Sequence, residues 1–270
     1  MTDLHIEPEL DAPHGVAKAV QAILKLDPRP EFVLCGGDMM FDLLGCNRER
    51  AETQARLLTE ALRPLEMPVY HTLGNHDIWG WGNPMVSENE SLYGKRFFSE
   101  RFLDGGKTYY SFDHGGWHFI VLDTIQRRDR SYFGEIDGEQ AAWLANDLQQ
   151  AGPTVPKIVS IHIPMFTIFT QYAFAANTGS SERIQVRNAR GIHELFHNKN
   201  VKMVFQGHTH VVESCRTLGI NYYTGGSVCG EWWKGKRLGL YDEGFSVVDV
   251  TADAARAMYH PYGWIAHPHI

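Results

Sequence analysis

Short apolar runs rich in β-branched and aromatic residues alternate along this chain with segments of helical periodicity. The runs read EFVLC, PVYHTL, HFIVL, KIVSI, VKMVF, INYY and FSVV. Apolar residues recur at helical spacing in three other segments, which begin near Val16, Ala51 and Asp137. Because such runs favour strands and alternate here with helices, the pattern predicts an α/β fold. The stretch YYSFDHGGWHFIVL predicts a hairpin turning at 114–116, so the sheets are expected to be mixed.

Size and charge exclude several classes of protein. The chain has 270 residues, of which 43% are hydrophobic, so it can bury a large core. No repeat or Pro/Ser-rich linker divides it, and we expect one domain over residues 1–270. The 25 Lys and Arg residues against 32 Asp and Glu residues give a net charge of −7, which argues against a nucleic-acid duplex as partner. No apolar run approaches the roughly 18 residues that span a bilayer. The location is not determined: the protein is expected in the cytoplasm, or is exported if a signal lies upstream.

Side chains of metal-binding types follow several of these runs. EFVLC leads into GGD, PVYHTL into GNHD, KIVSI into a single histidine and VKMVFQ into GHTH, and the chain itself begins MTDLH. In α/β sheets, residues just past the carboxyl ends of strands line the ligand crevice, so distant segments can converge there. Alternate residues of an extended chain point to one side, which lets each D-x-H or H-x-H pair reach one locus. The candidate ligands are Asp3, His5, Asp38, Asn75, His162, His208 and His210.

The number of candidate ligands indicates two metal ions. Seven side chains are too many for one ion and suit two ions with four protein ligands each, one of them shared. A histidine nitrogen has one lone pair, whereas a carboxylate has two oxygens, so Asp38 is the expected bridge between ions about 3.5–4 Å apart. Mixed imidazole, carboxylate and amide ligation suits manganese, iron or zinc.

The ordered series D-x-H, GGD, GNHD, a single His and GHTH resembles the calcineurin-like metallophosphoesterase superfamily. The resemblance spans positions 3 to 210 and is closest in appearance to the bacterial cyclic-nucleotide-type phosphodiesterase branch. It implies a four-layer α/β/β/α sandwich of two mixed β-sheets flanked by helices. It also implies that His76 faces the substrate. By this resemblance one ion is held by Asp3, His5, Asp38 and His210, and the other by Asp38, Asn75, His162 and His208.

This reading predicts phosphoester hydrolysis, with Asp38 and His76 as catalytic residues. Two cations clamp the charge of the phosphate and lower the pKa of a water between them, which yields hydroxide for in-line attack. A protonated His76 stabilises the phosphate or donates to the leaving oxygen. Either Asp77 or Asp42 is expected to orient the His76 ring.

The substrate prediction depends on arginines that are absent from the motifs. Protein phosphatases of the superfamily place arginines within GDxVDRG and RGNHE, where this chain has GDMMFD and LGNHD. Leu73, Met39 and Met40 cannot form guanidinium–phosphate hydrogen bonds, which contribute about 1.5–3 kcal/mol each. The sequence therefore favours a small phosphodiester, which carries one charge. A phosphomonoesterase acting on a small substrate and a catalytically idle scaffold are the alternatives.

Two accessory features flank the motifs. An aromatic-rich insertion at about 165–190 follows His162, and it is interpreted as a lid, a homodimer contact or an ordinary packed segment. The substrate-binding candidates are Asn75, His76, Trp79, Trp232 and Trp233, and for the two adjacent tryptophans a solvated surface loop is the other possibility. The remaining histidines, including His267 and His269, are expected to take no part.

The start of the chain carries an expectation of its own. Members of the superfamily have a core strand immediately before the first D-x-H motif, and this chain has only Met1 and Thr2 there. We expect that strand to be missing, either because the sequence starts late or because a working protein lacks it. Ligands on a disordered terminus must become ordered when the ion binds, which costs conformational entropy. The ion at Asp3 and His5 is therefore expected to bind more weakly.

Overall fold

The computed structural model describes residues 1–266, so His267 and His269 lie outside the described residues. The helices are α1 (Ala12–Leu24), α2 (Arg48–Leu62), α3 (Arg96–Phe102), α4 (Gly138–Gln150), α5 (Phe169–Ala173) and α6 (Ala189–Phe196). The first strands are β1 (Val33–Cys35), β2 (Val69–His71), β3 (Tyr110–His114), β4 (Trp117–Val121), β5 (Ile125–Arg128) and β6 (Ser131–Gly134). The later strands are β7 (Lys157–Ser160), β8 (Val201–Gln206), β9 (Val212–Thr217), β10 (Ile220–Gly225), β11 (Gly244–Val250) and β12 (Ala255–Pro261).

Each apolar run contains a strand, and each predicted helical segment forms a helix. α4 begins as expected, because the Asp137 side chain accepts a hydrogen bond from the Gln140 backbone N–H at 2.9 Å. β3 and β4 form the predicted hairpin, with His114 opposite Trp117. Within residues 1–266, each helix is too short or too polar to cross a lipid bilayer.

A six-stranded mixed sheet forms the centre of the fold. Its strand order is β3-β4-β7-β8-β10-β9, with β4, β7, β8 and β10 parallel and the two edge strands antiparallel to their neighbours. Every residue of β4 and β7 is buried, as expected for parallel strands covered on both faces. The predicted α/β class is therefore confirmed, and the sheet is mixed as expected.

The remaining strands near the N-terminal segment form two separate pairs. β1 and β2 form a parallel pair, and β11 and β12 form a separate antiparallel pair. A cavity of about 540 Å³ lies between β1 and β11, with Phe119, Ile158 and Phe205 of the central sheet also in its lining. Residues 1–5 form no strand, and Ile6 makes only an isolated bridge with Met40. Because no strand of residues 1–266 lies between β1 and β11, the two pairs do not join into one sheet.

The first residues are held in place, so the expected frayed terminus is wrong. The amino group of Met1 donates to the Leu34 carbonyl at 2.9 Å, and the Gly36 N–H donates to the Met1 carbonyl at 2.8 Å. On the other side, the Val228 N–H donates to the Thr2 carbonyl at 3.1 Å. The segment that carries the first two candidate ligands is therefore ordered by backbone hydrogen bonds on both sides.

A buried histidine of the central sheet, on the strand next to edge strand β3, lies between two carboxylates. His118 of β4 contacts Asp113 through Nδ1 at 2.6 Å and Asp147 of α4 through Nε2 at 2.8 Å. The hydrogen bond to Asp147 is the main cause of a raised His118 pKa, which burial opposes. Because both ring nitrogens donate to carboxylates, the ring is held as the imidazolium cation.

We predict that this contact makes stability depend on pH. A folded-state pKa above the unfolded value of about 6.5 stabilises the fold fully below that pH and loses the effect as pH rises through the folded pKa. His118→Gln should therefore lower the free energy of unfolding most at about pH 6 and least at about pH 9. Urea unfolding of both proteins across this range checks it. A difference that stays constant with pH would contradict a charged His118.

Candidate metal centre

The predicted ligands come together past the carboxyl ends of parallel strands. Asp38 follows β1, Asn75 follows β2, His162 follows β7 and His208 follows β8. The ligand-type atoms of Asp38, His162 and His208 lie within 4.8 Å of one another, and so do those of Asp3, His5 and Asp38. Asp38 belongs to both groups, which is the position that a bridging carboxylate requires.

Individual distances show how closely the donor atoms approach. Asp38 Oδ2 lies 3.0 Å from His162 Nε2 and 3.7 Å from His5 Nε2. Asp3 Oδ1 lies 3.3 Å from His210 Nε2, and the Nε2 atoms of His5 and His210 are 3.2 Å apart. Donor atoms that face one another across such short distances define a site the size of a cation.

Backbone carbonyls determine which nitrogen three of these histidines present. The Nδ1 atoms lie against carbonyl oxygens, His5 against Phe41 at 3.2 Å, His162 against Gly36 at 2.9 Å and His210 against Gly230 at 2.7 Å. A carbonyl can only accept, so each Nδ1 carries a hydrogen and donates it. In the neutral ring that a metal ion requires, each Nε2 then presents its lone pair to the centre, as in histidines that bind metals.

His208 uses the opposite nitrogen. Its Nε2–H donates to the Arg183 carbonyl at 2.8 Å, so Nδ1 is the atom that carries the free lone pair. This Nδ1 is buried without a hydrogen-bond partner among residues 1–266. His208 can therefore act as a ligand through Nδ1, whereas the other three histidines would act through Nε2.

Unpaired buried atoms indicate that the centre is built for cations. Both amide atoms of the Asn75 side chain and Nε2 of His162 are buried and lack a hydrogen bond within the described chain. The lone pairs of His5 and His210 also face each other, which is unfavourable unless a positive charge lies between them. Buried polar groups in native proteins are normally satisfied. Divalent metal ions would satisfy the Asn75 amide oxygen and the histidine nitrogens, so the residues fit the predicted metals.

The pKa shifts of the carboxylates and of one histidine are those of a site that attracts cations. Burial alone would raise the pKa of Asp3 and Asp38, but His210 and His162 respectively outweigh it, so both pKa values are lowered. Burial would likewise lower the pKa of His162, yet Asp38 raises it to about 9, so without a bound ion a proton on His162 occupies the place that a cation would take. Two ionised carboxylates in a buried site demand compensating positive charge, which metal ions supply.

Most of these ligands lie on strained backbone. Left-handed φ angles occur at Asp3 (54°), His5 (44°), Asp38 (49°), His208 (72°) and His210 (60°). Such a conformation costs about 1–3 kcal/mol for a residue with a side chain and is concentrated at functional sites. The expectation that the D-x-H and H-x-H pairs share a side of a strand is wrong, because neither pair lies in a strand. Left-handed turns past the strand ends bring them to the centre instead.

Glycines allow the motif loops to approach the ligands closely. A Cβ atom on Gly74 would lie 2.0 Å from the backbone nitrogen of Asp38, and one on Gly207 would lie 2.7 Å from Asp3 Oδ2. No side chain fits at those distances. The sequence interpretation of these glycines as close-approach positions is therefore confirmed at both.

The structure distinguishes between the two candidate partners of His76. Asp77 is fully buried and accepts hydrogen bonds from the backbone N–H groups of Met39, Met40 and Gly74 at 2.9–3.0 Å. It joins the GGD and GNHD loops and does not contact the His76 ring. Asp42 does, with its Oδ1 3.4 Å from His76 Nδ1. Asp42 is therefore the residue positioned to orient His76.

A cavity of about 360 Å³ opens above the cluster. Asp38, His76 and Trp232 line it, and the Trp232 ring centre lies 4.0 Å from that of His5. Trp79 and Trp233 do not line it, because each is only 1% exposed. The expectation that these two tryptophans form pocket walls is therefore wrong. Trp233 is a core residue whose Nε1–H donates to the His5 carbonyl at 2.9 Å.

Four further residues line this cavity, and the sequence interpretation missed them. They are Tyr132, Ser181, Arg183 and Ile184. Tyr132 lies on β6, in a short hairpin with β5 that was not predicted. The other three lie in the 165–190 insertion, whose polar end, and not its aromatic part, reaches the pocket. The aromatic side chains Tyr172 and Phe174 are 52% and 73% exposed. The insertion contains three arginines, Arg183, Arg187 and Arg190, and no local sequence signal distinguishes Arg183 from the other two.

Sequence comparison identifies the family. Residues 1–212 match the model of the calcineurin-like phosphoesterase family. The chain is 31% identical over 251 residues to "Serine/threonine-protein phosphatase CPPED1" of Danio rerio, covering 90% of this chain and 72% of that protein. It is 30% identical over 249 residues to the Homo sapiens protein of the same name, covering 90% and 71% respectively.

Solved structures share the fold at low sequence identity. A dimetal phosphatase from Danio rerio superposes with a TM-score of 0.68 at 14% identity, covering 97% of this chain and 95% of that chain. GAP50, described as the anchor in the inner membrane complex of Plasmodium, superposes with a TM-score of 0.61 at 16% identity, covering 97% and 83%. Together with the family match, these findings show that the chain belongs to the calcineurin-like phosphoesterase family of phosphoric ester hydrolases, whose fold implies divalent metal ions at this centre.

Proposed function

We propose that this protein hydrolyses phosphoesters at a centre of two divalent ions, which are manganese, iron or zinc. The observation that carries the proposal is the position of Asp38, whose carboxylate is common to two groups of closely spaced ligand-type atoms. One ion would be held by Asp3, His5, Asp38 and His210, and the other by Asp38, Asn75, His162 and His208. When bound, the ions supply positive charge to the phosphate and to the attacking water.

His76 is proposed to donate a proton to the leaving oxygen. Its ring lines the cavity and lies edge-on to His5, with ring centres 5.0 Å apart. Its backbone N–H donates to Asp38 Oδ1 at 2.8 Å, which ties the residue to the bridging carboxylate. Asp42 lies beside Nδ1 and favours the protonated ring, so Nε2–H is the atom available to a leaving group.

The sequence-based prediction of a diester preference rests on residues that do not reach the cavity. It depended on Leu73, Met39 and Met40, all of which are fully buried and do not line the cavity. These residues therefore carry no information about the charge that a substrate meets. The relatives from Danio rerio and Homo sapiens are named phosphatases, which favours the monoester alternative.

A scaffold role is the second candidate, since GAP50 shares this fold and is described as an anchor. The intact set of ligand-type side chains and the pocket position of His76 favour catalysis, because a pure scaffold needs neither.

Metal removal tests the proposal. Protein loaded with Mn²⁺ should contain two ions per chain by elemental analysis and hydrolyse p-nitrophenyl phosphate or bis-p-nitrophenyl phosphate. Chelation should abolish the activity, and returning Mn²⁺ should restore it, because the ions would supply the positive charge that activates the attacking water and the phosphate. Loading with Fe²⁺ and Zn²⁺ separately controls for the choice of metal. Two bound ions without hydrolysis of any phosphoester would support the scaffold role instead.

A further inference from the structure

A guanidinium group without an acidic partner lies at the edge of the metal-site cavity. Arg183 lines that cavity together with Asp38 and His208. Nearby arginines of the same region are neutralised, Arg187 by Glu135 and Arg128 by Glu182. No carboxylate of residues 1–266 lies within ion-pair distance of Arg183. Its charge is therefore available to a ligand in the cavity.

Contacts on both sides fix the position of Arg183 relative to the centre. Its guanidinium carbon lies 4.7 Å from the centre of the Tyr132 ring, a cation–π distance. Its carbonyl accepts the Nε2–H of His208 at 2.8 Å. Tyr132 in turn packs edge-on to His208, with ring centres 6.2 Å apart. Arg183 thus orients the candidate ligand His208 through its backbone carbonyl, and its guanidinium group lines the same cavity.

We propose that Arg183, supported by Tyr132, binds the phosphate of a dianionic phosphomonoester and makes monoesters the preferred substrates. This inference rests on the proposed function, because the two ions would bind the same phosphate. A monoester has two negative charges on three terminal oxygens, so an oxygen remains for the planar N–H fork of a guanidinium. A diester has one negative charge, and its second ester group replaces the third terminal oxygen that the guanidinium would bind. The pocket cation therefore discriminates between the two substrate classes.

The test compares two substrates in the manganese-loaded full-length chain. Arg183→Met should lower kcat/KM for p-nitrophenyl phosphate by about 10- to 100-fold, the effect of losing charge-assisted hydrogen bonds. The same substitution should change kcat/KM for bis-p-nitrophenyl phosphate by less than about 3-fold, because a monoanion gains less from the guanidinium. Arg183→Lys should recover part of the monoester activity, since it retains the charge without the fork.

Binding of inorganic phosphate gives a readout that does not require hydrolysis. Calorimetric titration of phosphate into the manganese-loaded protein should show a dissociation constant about 10-fold or more higher for Arg183→Met. Metal content should equal that of the wild type, because the carbonyl that holds His208 is unchanged. Arg190→Met is the matched control, as Arg190 is 93% exposed, pairs with Glu194 and does not line the cavity. It should leave all three measurements unchanged.

The outcomes separate this inference from the proposed function. Equal losses on both substrates, or no loss of monoester activity and phosphate affinity, would overturn the role of Arg183. A wild type that hydrolyses neither substrate would overturn the proposed function. In that case weaker phosphate binding by Arg183→Met would still support phosphate recognition at this residue, and unchanged binding would refute it.

Discussion

Asp38→Ala is expected to abolish phosphoester hydrolysis, with kcat/KM lowered by at least about 10³-fold, since the metal ions contribute several kcal/mol to such reactions. Asp38 is the one carboxylate common to both groups of ligand atoms. Its Oδ2 lies 3.0 Å from His162 Nε2, and its Oδ1 accepts the His76 N–H at 2.8 Å. Removing it therefore takes a ligand from both proposed ions and releases the backbone of the proposed proton donor.

Metal content distinguishes this mechanism from a general loss of structure. Elemental analysis of Asp38→Ala after manganese loading should give fewer than two ions per chain, while its circular dichroism spectrum should match the wild type. Asp253→Ala is a suitable control, because Asp253 is exposed in the turn between β11 and β12. Substantial activity in Asp38→Ala would remove the two-ion centre as the site of hydrolysis.

His76→Asn should lower kcat by about 10²- to 10⁴-fold, the usual contribution of a positioned general acid. Both ions should stay bound, because His76 contacts the centre without belonging to the two groups that share Asp38. This pattern of lost turnover with retained metal is opposite to the pattern expected for Asp38→Ala. Steady-state kinetics and elemental analysis of the same preparations measure both.

The choice of leaving group tests the proposed role of His76 directly. An alkyl phosphate needs protonation of its leaving oxygen far more than a p-nitrophenyl ester does, so His76→Asn should impair alkyl phosphates more. Asp42→Asn should show the same trend with a smaller loss, because Asp42 acts through the His76 ring. Equal losses for both leaving groups would mean that His76 stabilises the phosphate and does not donate the proton.

Local sequence patterns predicted most of the central sheet, but not the β5–β6 hairpin or the pairing of the outer strands. β4, β7 and β8 are apolar runs that are visible in sequence because they are buried on both faces. The β5–β6 hairpin was missed because its strands read IQRR and SYFG, which lack a continuous apolar run. The separation of the β1–β2 and β11–β12 pairs was likewise invisible, since strand pairing depends on neighbours far away in sequence.

The residues of the candidate site were likewise predictable only in part. Motif residues such as Asp38 and His162 were predictable, because only certain side chains offer oxygen or nitrogen donors to a metal. Arg183 and Tyr132 were not, since no motif joins an insertion to a hairpin strand. The adjacent residues Trp232 and Trp233 illustrate the limit, because one lines the cavity while the other is buried in the core.

The sequence by itself determined the chemistry of this protein: which donor atoms are present, and that they follow strand ends in the order of a phosphoesterase. Tertiary structure alone decided the geometry, because one donor contact of 3.2 Å joins His5 and His210 across 205 positions. It placed five ligands in left-handed turns and paired each histidine with a particular carbonyl. Those carbonyls select the nitrogen that faces the centre, and a long-range hydrogen bond of this kind leaves no trace in local sequence.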